Sequence, residues 1–311
     1  MTPEGSGPNL SVLVGGHESD NGADLSFITS HLPDILISPP GRPLNNIVTR
    51  ALNATDGVVT VLPMTFGRNP TMVADVAKTL QWLDSRTNAG RLALADPFGS
   101  PDHLVAWLRN AATRTHATRP GAALVIMARS SNPFDDAELY RLAHLVRTHG
   151  AGNEVEVSCV EVDEQVLDAV QRLRMLGFTE SEIVPAGFAR HLAVDLDAPD
   201  AAGAEFYGPL MSEQAIVRVV TDRIQAAVHA LSHGRNGISD GLLADHGHGY
   251  AHSHAFEESQ GSHTHTHGGA PHSHGGARQQ QESSPHEHDP HDRVRADAPT
   301  HTSPPVLTQN H

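Results

Sequence analysis

The feature that most restricts the fold of this chain is an internal repeat that divides residues 1–232 into two similar halves. The clearest pairs are VLVGGHESD with LVIMARSSN and VVTVLPMTFGRN with SEIVPAGFARH, separated by roughly 110 to 125 residues. A steady offset indicates that one supersecondary arrangement occurs twice. We therefore predict two similar lobes, at residues 1–118 and 119–232, joined by a polar link around Pro120.

Within each half, short runs rich in Val, Ile and Leu alternate with longer segments of helical periodicity. The predicted strands are Ser11–Gly15, Ile35–Ser38, Val58–Pro63, Arg91–Asp96, Ala123–Ala128, Val155–Val162, Glu182–Ala186 and Glu205–Tyr207. The predicted helices are Asn69–Ser85, Pro101–Ala112, Asp135–His149, Asp163–Leu176 and Ser212–Leu231. Strands without in/out alternation suit parallel sheets that are covered on both faces. The pattern predicts an α/β fold in which each lobe is a parallel sheet flanked by helices.

Histidine is concentrated at the end of the chain, with eight residues in 1–232 and fifteen in the last 79. Residues 233–311 lack apolar periodicity and are rich in Gly, Ser and Pro, so we predict a disordered segment. Closely spaced imidazoles bind first-row divalent ions. The predicted metal ligands of this tail are His246, His248, His252, His254, His263, His265, His267, His272 and His274. The tail is either a store or antenna for Co²⁺, Ni²⁺ or Zn²⁺, or a low-complexity segment with incidental metal affinity.

Charge and composition exclude several classes of protein. The formal net charge of −15 argues against a nucleic-acid binder, which needs a dense basic surface. The single cysteine, Cys159, excludes a disulfide framework and an iron–sulfur cluster held by four cysteines. The sequence has no run of eighteen apolar residues and no signal-peptide pattern at its start. We therefore expect a soluble, cytoplasmic protein without a membrane partner.

Two histidines and three arginines follow predicted strands, at the sheet edge where ligands bind in open parallel sheets. His17 and His191 could ligate a divalent ion or accept a proton near pH 7. The alternative for each is a loop histidine held by a backbone hydrogen bond. Arg68, Arg129 and Arg190 could bind substrate carboxylates in bidentate fashion, or be solvated surface charges.

Together these motifs resemble the class II chelatases that act on sirohydrochlorin, of the CbiX type and in the long form with a His-rich tail. The most specific match is VIMARSSNPFDDAELYRLAHLV, and the glycine–histidine turn is matched by Gly16-His17-Glu18-Ser19. The resemblance covers nearly all of residues 10–230. Asn69 stands where the family has a second histidine, and Arg129 replaces the first histidine in the second half.

The resemblance implies insertion of a divalent ion, Co²⁺, Fe²⁺ or Ni²⁺, into the tetrapyrrole sirohydrochlorin, in cobalamin or sirohaem synthesis. It implies that His17 and His191 are catalytic, and that Arg68, Arg129, Arg190 and Asn69 bind substrate. Because neither half has a full histidine pair, we expect the halves to face each other so that His17 and His191 share one cleft. Glu18, beside His17, is expected to be an exposed carboxylate, with cation guidance or proton relay as the alternative. The competing interpretation is a non-catalytic metal storage or delivery protein on a degenerate chelatase fold.

Overall fold

The structure is a computed structural model that describes residues 7–84 and 88–245. The nine tail histidines predicted to bind metal, from His246 to His274, lie outside the described residues. The described chain contains eight strands: β1 (Leu10–Gly15), β2 (Ile35–Ser38), β3 (Val59–Met64), β4 (Leu92–Leu94), β5 (Ala123–Arg129), β6 (Val155–Val160), β7 (Ser181–Pro185) and β8 (Ala204–Phe206). Its helices are α1 (Ile28–His31), α2 (Arg42–Ala54), α3 (Pro70–Leu83), α4 (Pro101–Thr118), α5 (Pro133–His149), α6 (Val166–Met175), α7 (Glu213–Ser232) and α8 (Ile238–Leu242). Short 3-10 segments cover His17–Leu25, Asp163–Gln165 and Pro199–Ala201.

The strands form two four-stranded parallel sheets with the same topology. The first sheet has the order β2-β1-β3-β4 and the second the order β6-β5-β7-β8. Consecutive residues of the central strands, such as Val12, Leu13 and Val14, are completely buried, because helices cover both faces of each sheet. The predicted α/β fold class, with two parallel sheets flanked by helices, is confirmed.

The last helix of each half packs against the other half. Helix α4 ends the first half and contacts α5 and β7, whereas α7 ends the second half and contacts β3 and β4. One hydrophobic core therefore includes Leu13 and Leu62 of the first sheet together with Leu124 and Val184 of the second. The two sheets share this core, and each half also has a hydrophobic cluster of its own.

The folded chain extends beyond the predicted boundary at residue 232, and the placement of residues 233–245 in a disordered tail is wrong. Helix α8 packs on α3, and its Ile238 is buried. The backbone carbonyl of Asn236 accepts a hydrogen bond from the Leu94 N–H at 2.8 Å. Gly237 has a φ of 73° and lies against the Leu94 carbonyl, where a Cβ would collide. A single short turn with few apolar residues is too brief to show helical periodicity in the sequence.

Two further observations concern the link and the membrane. Helix α4 continues to Thr118, so the predicted polar link begins later than expected, and Thr115 is completely buried.

Among the residues that the structure describes, no helix combines the length and the apolar composition that a membrane span requires.

Candidate functional site

Residues at the carboxyl ends of β1, β5 and β7 meet where the two halves face each other. His17 follows β1, Arg129 ends β5 and His191 follows β7, and all three line one pocket of about 40 Å³. Asp24 and Asp163 line the same pocket. Both strand-end histidines therefore border a common hollow, as expected from the placement of strand ends in parallel sheets. A space of this size holds a water molecule or a single ion, and not a macrocycle.

His17 is positioned by the N-terminus of helix α3. The side chain of Asn69 caps that helix by accepting a hydrogen bond from the Met72 N–H at 3.1 Å. The Asn69 Nδ2 atom lies 3.1 Å from His17 Nδ1. Burial and the nearby Arg68 charge lower the pKa of His17 to about 4, so its imidazole is neutral at pH 7. His17 is thus held by the side-chain amide of Asn69, and not by the backbone hydrogen bond of the alternative interpretation.

Glu18 is buried, which corrects the expectation of an exposed carboxylate. Its carboxylate accepts hydrogen bonds from the Thr65 hydroxyl and from the Phe66 N–H. Its backbone carbonyl accepts one from the Phe188 N–H of the second half at 2.9 Å. Burial raises the pKa of Glu18, while the Arg68 charge and the two hydrogen bonds oppose the rise. Glu18 joins the two halves at the centre of the site, and its burial depends on residues far away in sequence.

Arg68 is also buried, with only 1% of its surface exposed, so it is not a solvated surface charge. Its Nη1 donates to the Ala186 carbonyl of the second half at 3.3 Å. Its Nε and Nη2 have no hydrogen-bond partner among the described residues. Arg68 lines a neighbouring cavity of about 290 Å³. Buried guanidinium donors are normally paired, so two donors of Arg68 without a partner among the described residues are unusual.

The other two predicted substrate arginines are engaged within the protein. Arg129 forms an ion pair with Asp163, with Nη1 and Oδ1 2.8 Å apart. Arg190 forms an ion pair with Glu213 at 2.7 Å and lies over the Phe27 ring, 4.5 Å from its centroid. In this arrangement neither guanidinium is available for a bidentate contact with a substrate carboxylate. Each arginine would first have to give up its present ion pair.

The predicted metal ligands do not form a preorganised metal site. His191 is exposed at the pocket mouth. Burial and the neighbouring Asp20 charge raise the pKa of Asp24. Within residues 7–84 and 88–245, no three His, Cys, Asp or Glu side chains are arranged to hold a metal ion. The pocket brings two imidazoles and several carboxylates together without a closed ligand set.

A second, larger cleft was missed by the sequence analysis. It has a volume of about 690 Å³ and lies between α4 and α7, beyond the ends of β3 and β4. Its lining is mainly apolar and comes from four segments. The lining includes the aromatic residues Phe66, Phe98 and Trp107, the apolar Met211, and the basic residues Arg218 and Arg223. The rings of Phe66, Phe98 and Phe188 pack together at its base, with centroids 5.0 to 5.3 Å apart. The cleft depends on the exchange of terminal helices, which no local sequence pattern reveals.

Comparisons with known proteins give a likeness of fold. No family model matches the chain. It is similar to the crystal structure of the sirohydrochlorin chelatase SirB from Bacillus subtilis subspecies spizizenii in complex with cobalt, with 15% identity and a TM-score of 0.42. It is also similar to SirB from Bacillus subtilis with Fe³⁺, with 15% identity and a TM-score of 0.46. Each alignment covers 73% of this chain and 97% of the other.

One curated protein also matches part of the chain. A collagenase from Porphyromonas gingivalis is 26% identical over 132 residues, which cover 39% of this chain. The chain spans about a third of that protein's length, at 31%. At these levels of identity and overlap, the function has to be inferred from the geometry of the site.

Proposed function

We propose that this protein is a metal chelatase that inserts a divalent ion, Co²⁺ or Fe²⁺, into an acidic tetrapyrrole of the sirohydrochlorin class. The observation that carries this proposal is the pocket shared by His17 and His191, which come from opposite halves of the repeat. The motif resemblance of residues 10–230 to class II chelatases leads to the same activity. Placement in cobalamin or sirohaem synthesis is part of the proposal.

The shared pocket suits a cation in transit. Asp24 and Asp163 supply negative charge beside it, and the exposed His191 offers an imidazole that binds borderline divalent ions weakly enough to release them. Metallation removes two pyrrole N–H protons, and a neutral imidazole is a suitable acceptor near pH 7. A loose set of ligands favours transfer of the ion over its storage in the folded body.

The large cleft is the proposed place of the macrocycle. Its volume of about 690 Å³ falls within the range of small-molecule sites, and its aromatic walls suit a flat conjugated ring. Arg218 and Arg223 would meet the ring's carboxylates, although Arg223 already lies 3.7 Å from the Asp96 carboxylate. The cleft adjoins the pocket, because Phe66 lines the cleft and its N–H contacts Glu18 of the pocket. The unpartnered donors of Arg68 are a further position for a carboxylate.

A second candidate is a non-catalytic protein that stores or delivers metal. Asn69, in place of a second imidazole, favours this candidate. The His-rich tail would serve either function, since clustered histidines on the same chain raise the effective metal concentration. Its metal binding remains a prediction.

Metal insertion is tested with purified protein, sirohydrochlorin and Co²⁺, followed by the absorption spectrum. We expect insertion faster than the spontaneous reaction, and His191→Ala should slow it by tenfold or more. A control residue must lie outside the proposed site and must not be needed for folding. Asn236 does not meet the second condition, because its backbone holds α8 in place. His116 lies on the exposed face of α4, so His116→Ala is the matched histidine control. A wild-type rate equal to the spontaneous rate would remove the chelatase and leave the storage candidate.

The position of the macrocycle is tested by tryptophan fluorescence. The chain has two tryptophans: Trp107 lines the cleft, whereas Trp82 is 77% exposed on α3. The Trp82→Phe variant reports on Trp107 alone, and Trp107→Phe reports on Trp82 alone. We expect sirohydrochlorin to quench Trp107 strongly at saturation and to quench Trp82 much less. Equal quenching of both would contradict binding in the cleft.

A further inference from the structure

We propose that Asn69 holds the His17 imidazole in the tautomer with its proton on Nε2, so that His17 is a hydrogen-bond donor and not a metal ligand. The tautomer follows from hydrogen bonds in the structure. What His17 then binds in the site rests on the proposed function. Asn69 thereby acts as a positioning residue, through His17. In this tautomer His17 would not ligate a metal ion, in contrast to the role predicted from the sequence.

The orientation of the Asn69 amide is fixed by the helix that it caps. Its Oδ1 accepts the Met72 N–H at 3.1 Å, which leaves Nδ2 facing His17 Nδ1 at 3.1 Å. Turning the amide over would place two donors against each other at Met72 and lose the cap of α3. Since an amide nitrogen can only donate, Nδ1 of His17 has to accept.

The ring is neutral, so accepting at Nδ1 decides where its one proton lies. A ring nitrogen that accepts a hydrogen bond carries no proton, so the contact of Nδ1 with the Asn69 amide excludes the imidazolium. A neutral ring with an acceptor at Nδ1 carries its proton on Nε2. That Nε2 is buried and has no hydrogen-bond partner among the described residues. The Nε2–H group of His17 is therefore a buried hydrogen-bond donor that has no acceptor among the described residues.

Gly16 makes the close approach of Asn69 possible. A Cβ at Gly16 would lie 2.6 Å from Asn69 Nδ2 and 2.8 Å from Met72 Sδ. Any side chain at residue 16 would therefore push the amide away from its position against His17. The backbone of Gly16 has φ −109°, which other residues also adopt, so the glycine is required for space and not for conformation.

This tautomer decides what His17 can bind. To ligate a cation through Nε2, His17 would have to move its proton to Nδ1, where it would meet the Asn69 amide donor. His17 is instead matched to an acceptor atom, such as a carboxylate oxygen of an acidic tetrapyrrole. Metal ligation and proton acceptance in the shared pocket then fall to His191. The two histidines of the pocket have different roles.

The tautomer is measured directly by ¹⁵N–¹H NMR of the histidine rings in the full-length protein at pH 7. We expect a protonated Nε2 and an unprotonated Nδ1 for His17. The opposite pattern, or rapid exchange between the two tautomers, would overturn the inference. This result does not depend on catalysis: wild-type protein without chelatase activity would remove the proposed function and leave the tautomer intact.

Two variants at residue 69 test the cause. Asn69→Asp keeps a side-chain cap, but its carboxylate accepts from Nδ1–H, which should free the Nε2 lone pair. Zn²⁺ binding followed on the His17 ring resonances should then strengthen by about 10- to 100-fold over wild type. Asn69→Ser keeps a cap without the fixed donor and should show mixed tautomers. An Asn69→Ser protein with the wild-type tautomer, or an Asn69→Asp protein without gain in Zn²⁺ affinity at His17, would contradict the role of Asn69.

Discussion

The two halves of this protein have the same sheet topology but differ in how far the charged and imidazole groups at their strand ends are buried. In the first half Arg68 is buried, and His17 is neutral and hydrogen-bonded to Asn69. In the second half the equivalent Arg190 is partly exposed in an ion pair, and His191 is exposed. The strand-end groups of the first half are therefore more deeply buried than those of the second half.

The site depends on both halves of the repeat and is not formed by either half alone. The Phe188 N–H of the second half binds the Glu18 carbonyl, and Arg68 binds the Ala186 carbonyl. The strand ends of the first half are buried because those of the second half cover them. In the proposed function, this divergence would let one pocket hold both a hydrogen-bond donor, His17, and a metal ligand, His191.

The largest expected effect comes from separating the halves. A monomer of residues 1–118 should show no cooperative unfolding. In this fragment β3 and β4 lack the packing of α7, and the part of the shared core that the second half supplies is absent. Circular dichroism with sedimentation analysis measures this, with residues 1–245 as the control. A monomeric fragment that unfolds cooperatively would show that the halves are independent after all.

The next comparison is between the two glutamates that face the equivalent arginines. Glu18→Ala removes the acceptor of both the Thr65 hydroxyl and the Phe66 N–H in a buried place. We expect a loss of about 2 to 5 kcal/mol in the free energy of unfolding, because two buried donors lose their partner. Glu213→Ala, which breaks the partly exposed pair with Arg190, should cost about 1 kcal/mol or less. Equal losses in urea unfolding would mean that burial does not distinguish the two sites.

A pH dependence of stability should arise from His17. Its pKa is about 4 in the folded protein against 6.5 when unperturbed, so the unfolded chain takes up a proton first as the pH falls. The free energy of unfolding should decrease between pH 6.5 and 4 by at most about 3 kcal/mol from this residue, and not change further below pH 4. The difference between wild type and His17→Gln isolates this contribution from other titrating groups. The same slope in both proteins would show that His17 does not titrate with a lowered pKa.

The smallest effect tests the glycine that lets Asn69 approach. Gly16→Ala should cost about 1 to 3 kcal/mol and weaken the contact of Asn69 with His17. The repeat places Ala128 at the equivalent position of the second half, where Ala128→Gly should cost only about 0.5 to 1 kcal/mol. Thermal unfolding of both variants gives the comparison. A harmless Gly16→Ala substitution would show that the amide has room to move.

The sequence predicted those features that depend on local periodicity and on strand order. All eight predicted strands lie within about two residues of the observed ones, because buried parallel strands have a strong apolar signal. The meeting of His17 and His191 was expected from the repeat, because neither half has a full histidine pair and the two halves were expected to face each other. The burial of Glu18 and Arg68 was not predictable, since it depends on the approach of residues 186–188 from the other half. The exchange of α4 and α7, and hence the large cleft, also leaves no local signal.

Helix α8 decides where the chain can be shortened. Ile238 and Gly241 fill a space against Leu94 and Ala77 of the first half, and Asn236 also donates to the Asp84 carboxylate. A stop codon at residue 236 would therefore uncover part of the folded body at the same time as it deletes the histidines. Stopping after Asp245 removes only the histidine-rich end, so that a change in cobalt uptake can be assigned to it.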